Sequence, residues 1–221
     1  VGVPLLYERI RSAIEAKITG IKKPLFAFAL SVGRQYYILG KRSKWLEAKH
    51  WLADKLIYSK LRAKFGGQLR MFVSGGAPLA SSTNNFFESL GFPMIEGYGL
   101  TETAPVIACN RLEQRKAGSV GLAVAGMQVC LGDDNELLVK GDNVMEGYYN
   151  NQAATDEIID SEGWLHTGDI ASIDETGFIY IVDRKKELIV LANGKNVSPL
   201  AIESSLTADK YIAQAFVCGN N

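Results

Sequence analysis

Four polar clusters, each marked by glycine, carry the residues that could do chemistry. In Ser74-Gly75-Gly76-Ala77-Pro78-Leu79 two adjacent glycines follow an apolar run. Without a Cβ the backbone can approach a flat or anionic ligand closely. In Glu96-Gly97-Tyr98-Gly99-Leu100-Thr101-Glu102-Thr103 a tyrosine between glycines can present its ring to a base. There Thr101 offers a hydroxyl to a phosphate oxygen, and Glu102 is a hard oxygen ligand suited to Mg²⁺ beside phosphates. In the segment 163–170, Gly168 permits close approach, and the Asp169 carboxylate can accept hydrogen bonds from both hydroxyls of a ribose diol. In the segment 182–199, Arg184 is a rigid fork for ribose or phosphate oxygens, followed at once by Lys185 and Lys186. Taken singly, each cluster also reads as an ordinary turn or solvated charge run; their order and spacing set them apart. His166 reads as structural, because no nucleophile or partner base stands near it in sequence.

The elements that must position these residues fall into three stretches. The first third is helical: Tyr7, Ile10, Ile14 and Ile18 recur at helix spacing, and a second pattern runs through 45–64 with Trp45, Leu52, Leu56 and Leu61. From residue 69 the signal changes to a strand (69–73), the glycine loop, a helix from Ser81 closed by Gly91, and another strand (94–99). This strand–loop–helix–strand unit predicts a parallel sheet whose ligands sit at the carboxyl ends of its strands. Between about 117 and 182 short strands alternate with tight turns. Residues 126–131 and 136–141 flank Asp133-Asp134-Asn135 as a hairpin, and 178–183 follows a second turn. That spacing predicts a small antiparallel barrel or sandwich. After Arg184 a new unit begins, with Asn193-Gly194, a helix capped at Ser198-Pro199 and a strand over 214–219. The chain is thus expected to be α/β. Residues 1–104 form the end of a parallel-sheet subdomain, 105–183 a β-barrel-like subdomain, and 184–221 the start of an α+β domain.

Composition narrows the function classes. Three scattered cysteines and two histidines give no metal-ligand spacing and no disulfide framework, so a reducing, cytoplasmic setting is the simplest reading. No apolar run approaches the length of a membrane-spanning helix. The net charge is zero, yet residues 1–70 hold fifteen Lys/Arg against four Asp/Glu. Such a basic third either steers anionic partners (nucleotide, CoA, a lipid headgroup surface) or forms solvated helix faces. It contains no nucleic-acid-binding motif. Neither GxGxxG after a strand nor GxxxxGK[ST] is present, which disfavours a dinucleotide oxidoreductase and a P-loop NTPase.

In this order the motifs resemble those of the adenylate-forming enzymes: acyl-CoA synthetases, luciferases and peptide-synthetase adenylation domains. The resemblance rests on the Gly-Gly-Ala-Pro loop, YGLTE (98–102), GSVG (118–121), ELLVKGDNVMEGYYN (136–150), TGD (167–169) and DRKKELI (183–189). The wording around EGYGLTET and DRKKELIVLANGKNVSP is most similar to the long-chain fatty acyl-CoA ligases. The resemblance implies that Gly75, Gly76, Ala77 and the stretch Glu96, Gly97, Tyr98, Gly99 form an adenine pocket, with Tyr98 stacked on the base. Thr101 would contact the α-phosphate and Glu102 would hold Mg²⁺. Asp169 would take the ribose hydroxyls with Arg184 beside it, Lys186 would be a domain hinge, and Gly194 would lie near the pantetheine path. Val106 would line the acyl pocket. Implied substrates are ATP (leaving as AMP), a long-chain fatty acid and CoA, with peripheral contact to a membrane compatible with the basic third.

Two parts of the family's machinery are not found in the 221 residues: the Ser/Thr/Gly/Lys phosphate loop and the C-terminal catalytic lysine, for which neither Lys195 nor Lys210 has the context. The chain therefore reads as an internal piece, expected to be inactive in isolation; robust turnover by these 221 residues would refute that. Two other readings stay open. One is an aryl-CoA ligase or fatty acyl-AMP ligase of the same superfamily. The other is a non-catalytic, truncated nucleotide-binding or scaffolding protein.

Overall fold

The structure is a computed structural model that describes residues 2–191, 196–207, 209, 211, 212 and 214–219. It divides into two units, Val1–Glu96 and Gly97–Asn221.

In the first unit, helix α1 (Pro4–Ala16) starts at Pro4, whose fixed φ suits a first helical turn. Its Ile10 and Ile14 lean on the core, and buried Tyr7 donates its hydroxyl to the Val73 carbonyl at 2.6 Å. Helix α2 (Lys22–Gly33) buries Phe26, Ala29, Val32 and Gly33, one stripe of a segment too apolar all round to show a helical period in sequence. The helical pattern over 45–64 is formed without a break, as α3 (Lys44–Ala53), a π-helical turn (Asp54–Tyr58) and α4 (Ser59–Lys64). Ser43 caps α3 by accepting from the Leu46 amide at 3.2 Å. The π turn ends on fully buried Tyr58, whose hydroxyl donates to the Ala29 carbonyl at 2.6 Å. Strand β1 (Phe72–Ser74), helix α5 (Ser81–Ser89) and the first residues of β2 (Met94–Tyr98) make the expected crossover, and the two strands pair in parallel with Ser74 opposite Glu96. Phe86, Phe87, Leu90, Phe92 and Met94 fill the core around which the helices pack.

In the second unit, Gly97 and Tyr98 pair antiparallel with β3 (Ala108–Cys109), which pairs with β4 (Leu122–Ala123). Strands β5 (Gln128–Leu131), β6 (Glu136–Lys140), β7 (Leu165–Ile173) and β8 (Ile179–Arg184) form an antiparallel meander in that order. The β5–β6 hairpin turns where Asp134 and Asn135 adopt left-handed backbone, which these residue types tolerate. A short helix, α6 (Gln152–Ile158), is capped by Asn151. Ile107, Leu137, Val139, Leu165 and Ile179 form the core. Beyond β8 come an antiparallel pair, β9 (Ile189–Val190) with β10 (Asn196–Val197), and helix α7 (Pro199–Thr207). The strand expected over 214–219 is not formed: this stretch pairs with no ladder, and Val217 N–H instead donates to Glu203 at 2.8 Å. An apolar run without a neighbouring strand has no backbone partners from which to build a sheet.

Candidate nucleotide site

Asp169 is the centre of the best-built polar cluster. It sits on β7 directly opposite Arg184 of β8, so the strand register alone brings the two together. Asp169 is only 3% exposed. Its Oδ1 lies 3.1 Å from Arg184 Nε, and its Oδ2 accepts the hydroxyl of Tyr98 from β2. Its own amide donates to Thr167 Oγ1 at 3.1 Å, and Thr167 in turn donates to the Leu137 carbonyl at 2.7 Å. Gly168 takes φ +69°, a left-handed turn that glycine adopts without strain, and its amide donates to Glu136 Oε1 at 3.0 Å. Burial pushes the Asp169 carboxyl up, with Tyr98 and Arg184 pulling against it. Burial, reinforced by the Asp169 carboxylate, pushes the Tyr98 phenol far up, so it stays a donor. A carboxylate has about four acceptor positions, of which the two protein donors occupy two.

Glu136, at the start of β6, is the residue beneath this loop that no spacing in the sequence singled out. Besides Gly168 it accepts from Lys185 Nζ at 3.1 Å, and His166 Nδ1 lies 3.5 Å from its Oε2. Burial pushes its carboxyl up, but Lys185, the Gly168 amide and His166 together outweigh burial and hold it below the usual range. His166, read as structural, thus stands between two carboxylates, Glu136 and, at 3.9 Å, Asp160.

The Thr101–Thr103 turn is held from several sides. A Cβ on Gly99 would lie 1.6 Å from the Pro105 carbonyl oxygen, so only glycine fits beneath the returning chain. Thr103 is fully buried and its Oγ1 accepts from the Leu100 amide at 3.1 Å, while Ala104 takes a left-handed φ of 47° to close the turn. Thr101 is exposed and Glu102 half-buried. Two residues of the 136–150 motif reach across to this turn. Asn143 Nδ2 donates to the carbonyls of Thr103 at 2.9 Å and Val106 at 2.8 Å. Tyr148 donates to Glu102 Oε1 at 2.7 Å, and the Met145 amide donates to the Glu102 carbonyl at 2.8 Å. Among the described residues no group of three or more His, Cys, Asp or Glu is placed to hold a metal ion. Glu102 thus brings a single carboxylate to this turn, with one oxygen already accepting from Tyr148.

In the first unit, Gly75, Gly76 and Ala77 form the loop from β1 to α5, with Gly76 in left-handed backbone and both Gly76 and Ala77 exposed. Ser74, at the carboxyl end of β1, is buried with its Oγ lacking a partner among the described residues, at the edge where parallel sheets receive ligands. Glu96 is buried and accepts from Asn84 Nδ2 of α5 at 2.7 Å. Lys186 is exposed in the 3₁₀ turn Lys185–Glu187. Just before it, buried Asp183 accepts from Ser198 Oγ and, at 3.3 Å, from the Leu200 amide at the start of α7. Gly194, Lys195 and Lys210 lie outside the described residues.

Residues 2–149 match the AMP-binding enzyme family. The chain belongs to that family. Over 224 aligned residues it is 41% identical to the long-chain-fatty-acid–CoA ligase FadD15 of Mycobacterium bovis, covering all of this chain and 37% of that protein. It is 34% identical to the peroxisomal long chain acyl-CoA synthetase 7 of Arabidopsis thaliana, covering all of this chain and 33% of that protein. The chain thus spans about a third of the length of the curated relatives it matches. Among solved structures, o-succinylbenzoate CoA synthetase of Bacillus subtilis, in complex with its acyl-adenylate intermediate, matches with a TM-score of 0.64 and 30% identity. That match covers 74% of this chain and 37% of the other. The same enzyme in complex with ATP and magnesium ion gives a TM-score of 0.63. The mixed α/β architecture is that of the adenylate-forming enzymes.

Proposed function

We propose that the full-length protein is an AMP-forming ligase joining a long-chain fatty acid to CoA. The observation that carries the reading is the buried Asp169 carboxylate, held between Tyr98 and Arg184, in a chain whose relatives are long-chain acyl-CoA ligases. In this reading Asp169 accepts both ribose hydroxyls, and Arg184, with 60% of its side chain exposed, reaches the same sugar or a phosphate oxygen. The ring of Tyr98 takes the adenine face while its hydroxyl stays on Asp169. The backbone at Gly97 and Gly99, on either side of Tyr98, lets the base approach closely.

The fatty acid carboxylate attacks the α-phosphorus of ATP and pyrophosphate leaves. CoA thiolate then attacks the acyl carbonyl and AMP leaves. Thr101 offers its hydroxyl to an α-phosphate oxygen as negative charge builds there, and Glu102, which accepts from Tyr148, would hold Mg²⁺. Bound Mg²⁺ would supply neutralisation of the phosphate charge. Lys186 is the hinge about which the following segment reorients between the two half-reactions. The location proposed is cytoplasmic, with peripheral contact to lipid; no helix among the described residues is long and apolar enough to cross a membrane.

A single-turnover experiment on the full-length protein tests this. Acyl-AMP formed from ATP and a long-chain acid should persist until CoA is added and then be converted to acyl-CoA. Consumption of acyl-AMP only by a carrier protein would instead assign the protein to the acyl-AMP ligases. Absence of acyl-AMP with every acid would leave a nucleotide-binding protein without the activity.

A further inference from the structure

Helix α3 and the turn before it carry a surface that the reaction does not use. Trp45 is 72% exposed and Trp51 64% exposed, with Leu39 and Leu52 also on the surface. Soluble proteins seldom leave two indoles and two leucines in water over so short a stretch. Each indole is flanked by a cation one turn on: Lys49 Nζ lies 5.2 Å from the Trp45 ring centre and Lys55 Nζ 5.4 Å from that of Trp51. From Lys41 to Lys55 there are five Lys/Arg against two acids, Glu47 and Asp54, and Asp54 is held by Arg62 at 2.6 Å. Beside Trp45 an open cavity of about 460 Å³ is lined by Lys41, Arg42 and Lys49. Arg42 is fixed there, its guanidinium 3.9 Å from the Tyr36 ring centre and donating to the Tyr36 carbonyl at 2.7 Å.

We infer that this face docks on an anionic phospholipid surface. Indoles prefer the boundary between headgroups and acyl chains, and lysine and arginine stems lie along the apolar layer while their charges meet phosphates. The cationic cavity is of a size and sign to take a headgroup phosphate, and the clustered positive charge complements an anionic leaflet. Leu39 and Leu52 decide against a nucleic acid: they have no partner on a phosphodiester backbone, whereas they can enter the acyl layer. The inference does not depend on the adenylating reaction.

The test is co-sedimentation of the full-length protein with phosphatidylcholine vesicles, with and without phosphatidylglycerol. Binding is expected only with phosphatidylglycerol, weakening as salt is raised. The double variant Trp45→Ala/Trp51→Ala should bind roughly tenfold more weakly, while Trp45→Phe/Trp51→Phe retains most of the affinity. Adenylation of detergent-dispersed acid should be the same in all three proteins, so a folding defect or failure of the proposed reaction is read separately. Lack of binding to anionic vesicles, or equal binding by the alanine variant, would overturn the inference. So would indoles already shielded from acrylamide in the lipid-free full-length protein, which would assign the face to another segment of the same chain.

Discussion

Tyr98→Phe separates the two roles assigned to one side chain, because it keeps the ring and removes only the hydroxyl that Asp169 accepts. A hydrogen bond to a charged acceptor is worth about 1.5–3 kcal/mol, and here the acceptor is 3% exposed, so water cannot readily replace the donor. At neutral pH the variant should lose that much stability, roughly a ten- to hundredfold shift in the folding equilibrium. The loss should shrink in acid. Burial already raises the Asp169 carboxyl and the Tyr98 bond opposes that rise, so without the hydroxyl Asp169 protonates at still higher pH and no longer needs a donor. The assay is urea unfolding of wild type and variant at neutral pH and at a pH below the wild-type Asp169 transition. Equal midpoints at neutral pH, or a loss of the same size at both pH values, would refute the reasoning. With the ring retained, AMP affinity should fall far less in Tyr98→Phe than in Tyr98→Ala, as titration calorimetry on the full-length protein would show.

Other outcomes follow from the same contacts. Gly99→Ala places a methyl 1.6 Å from the Pro105 carbonyl oxygen and should destabilise by at least about 2 kcal/mol, seen as a lower unfolding midpoint. Glu136 has its carboxyl depressed in the fold, so its contribution to stability is complete above the ordinary carboxylate range and is lost as pH falls through its lowered value. Glu136→Gln should therefore flatten the acid limb of a stability–pH profile, and an unchanged acid limb would contradict the assignment. Asp169 has the opposite shift and must be ionised to accept a ribose diol, so AMP binding should begin to fail at a higher pH than an ordinary aspartate would allow. Ser198→Ala removes a donor to Asp183 across the Lys186 turn, and should raise proteolytic cleavage after Lys185 or Lys186 severalfold without altering AMP affinity.

Local signals in the chain account for much of this arrangement. The crossover from β1 to β2 was readable because an apolar run, paired glycines and a polar helix start follow one another within a few residues. The β5–β6 hairpin was readable because Asp134 and Asn135 suit left-handed backbone. Helix α2 escaped notice because apolar residues surround it, and the π turn at Asp54–Tyr58 has no local sequence signature. Within the site, residue types identified Asp169, Arg184 and Glu102 as candidates, but not what holds them. Tyr148 reaches Glu102 across 46 residues, Glu136 reaches Gly168 across 32, and Asn84 reaches Glu96 from a helix. Such partners are set by tertiary approach, which spacing along one chain does not encode. The one hint was that Glu136, Asn143 and Tyr148 lie inside the 136–150 motif, which had a resemblance but no assigned chemistry.

The decisive measurement is acid-dependent ATP–pyrophosphate exchange by the full-length protein across a panel of carboxylic acids, alongside Asp169→Ala. The proposed reaction and ribose site require exchange with long-chain fatty acids that collapses in Asp169→Ala. Exchange that is absent with every acid, or that survives intact in Asp169→Ala, would contradict them.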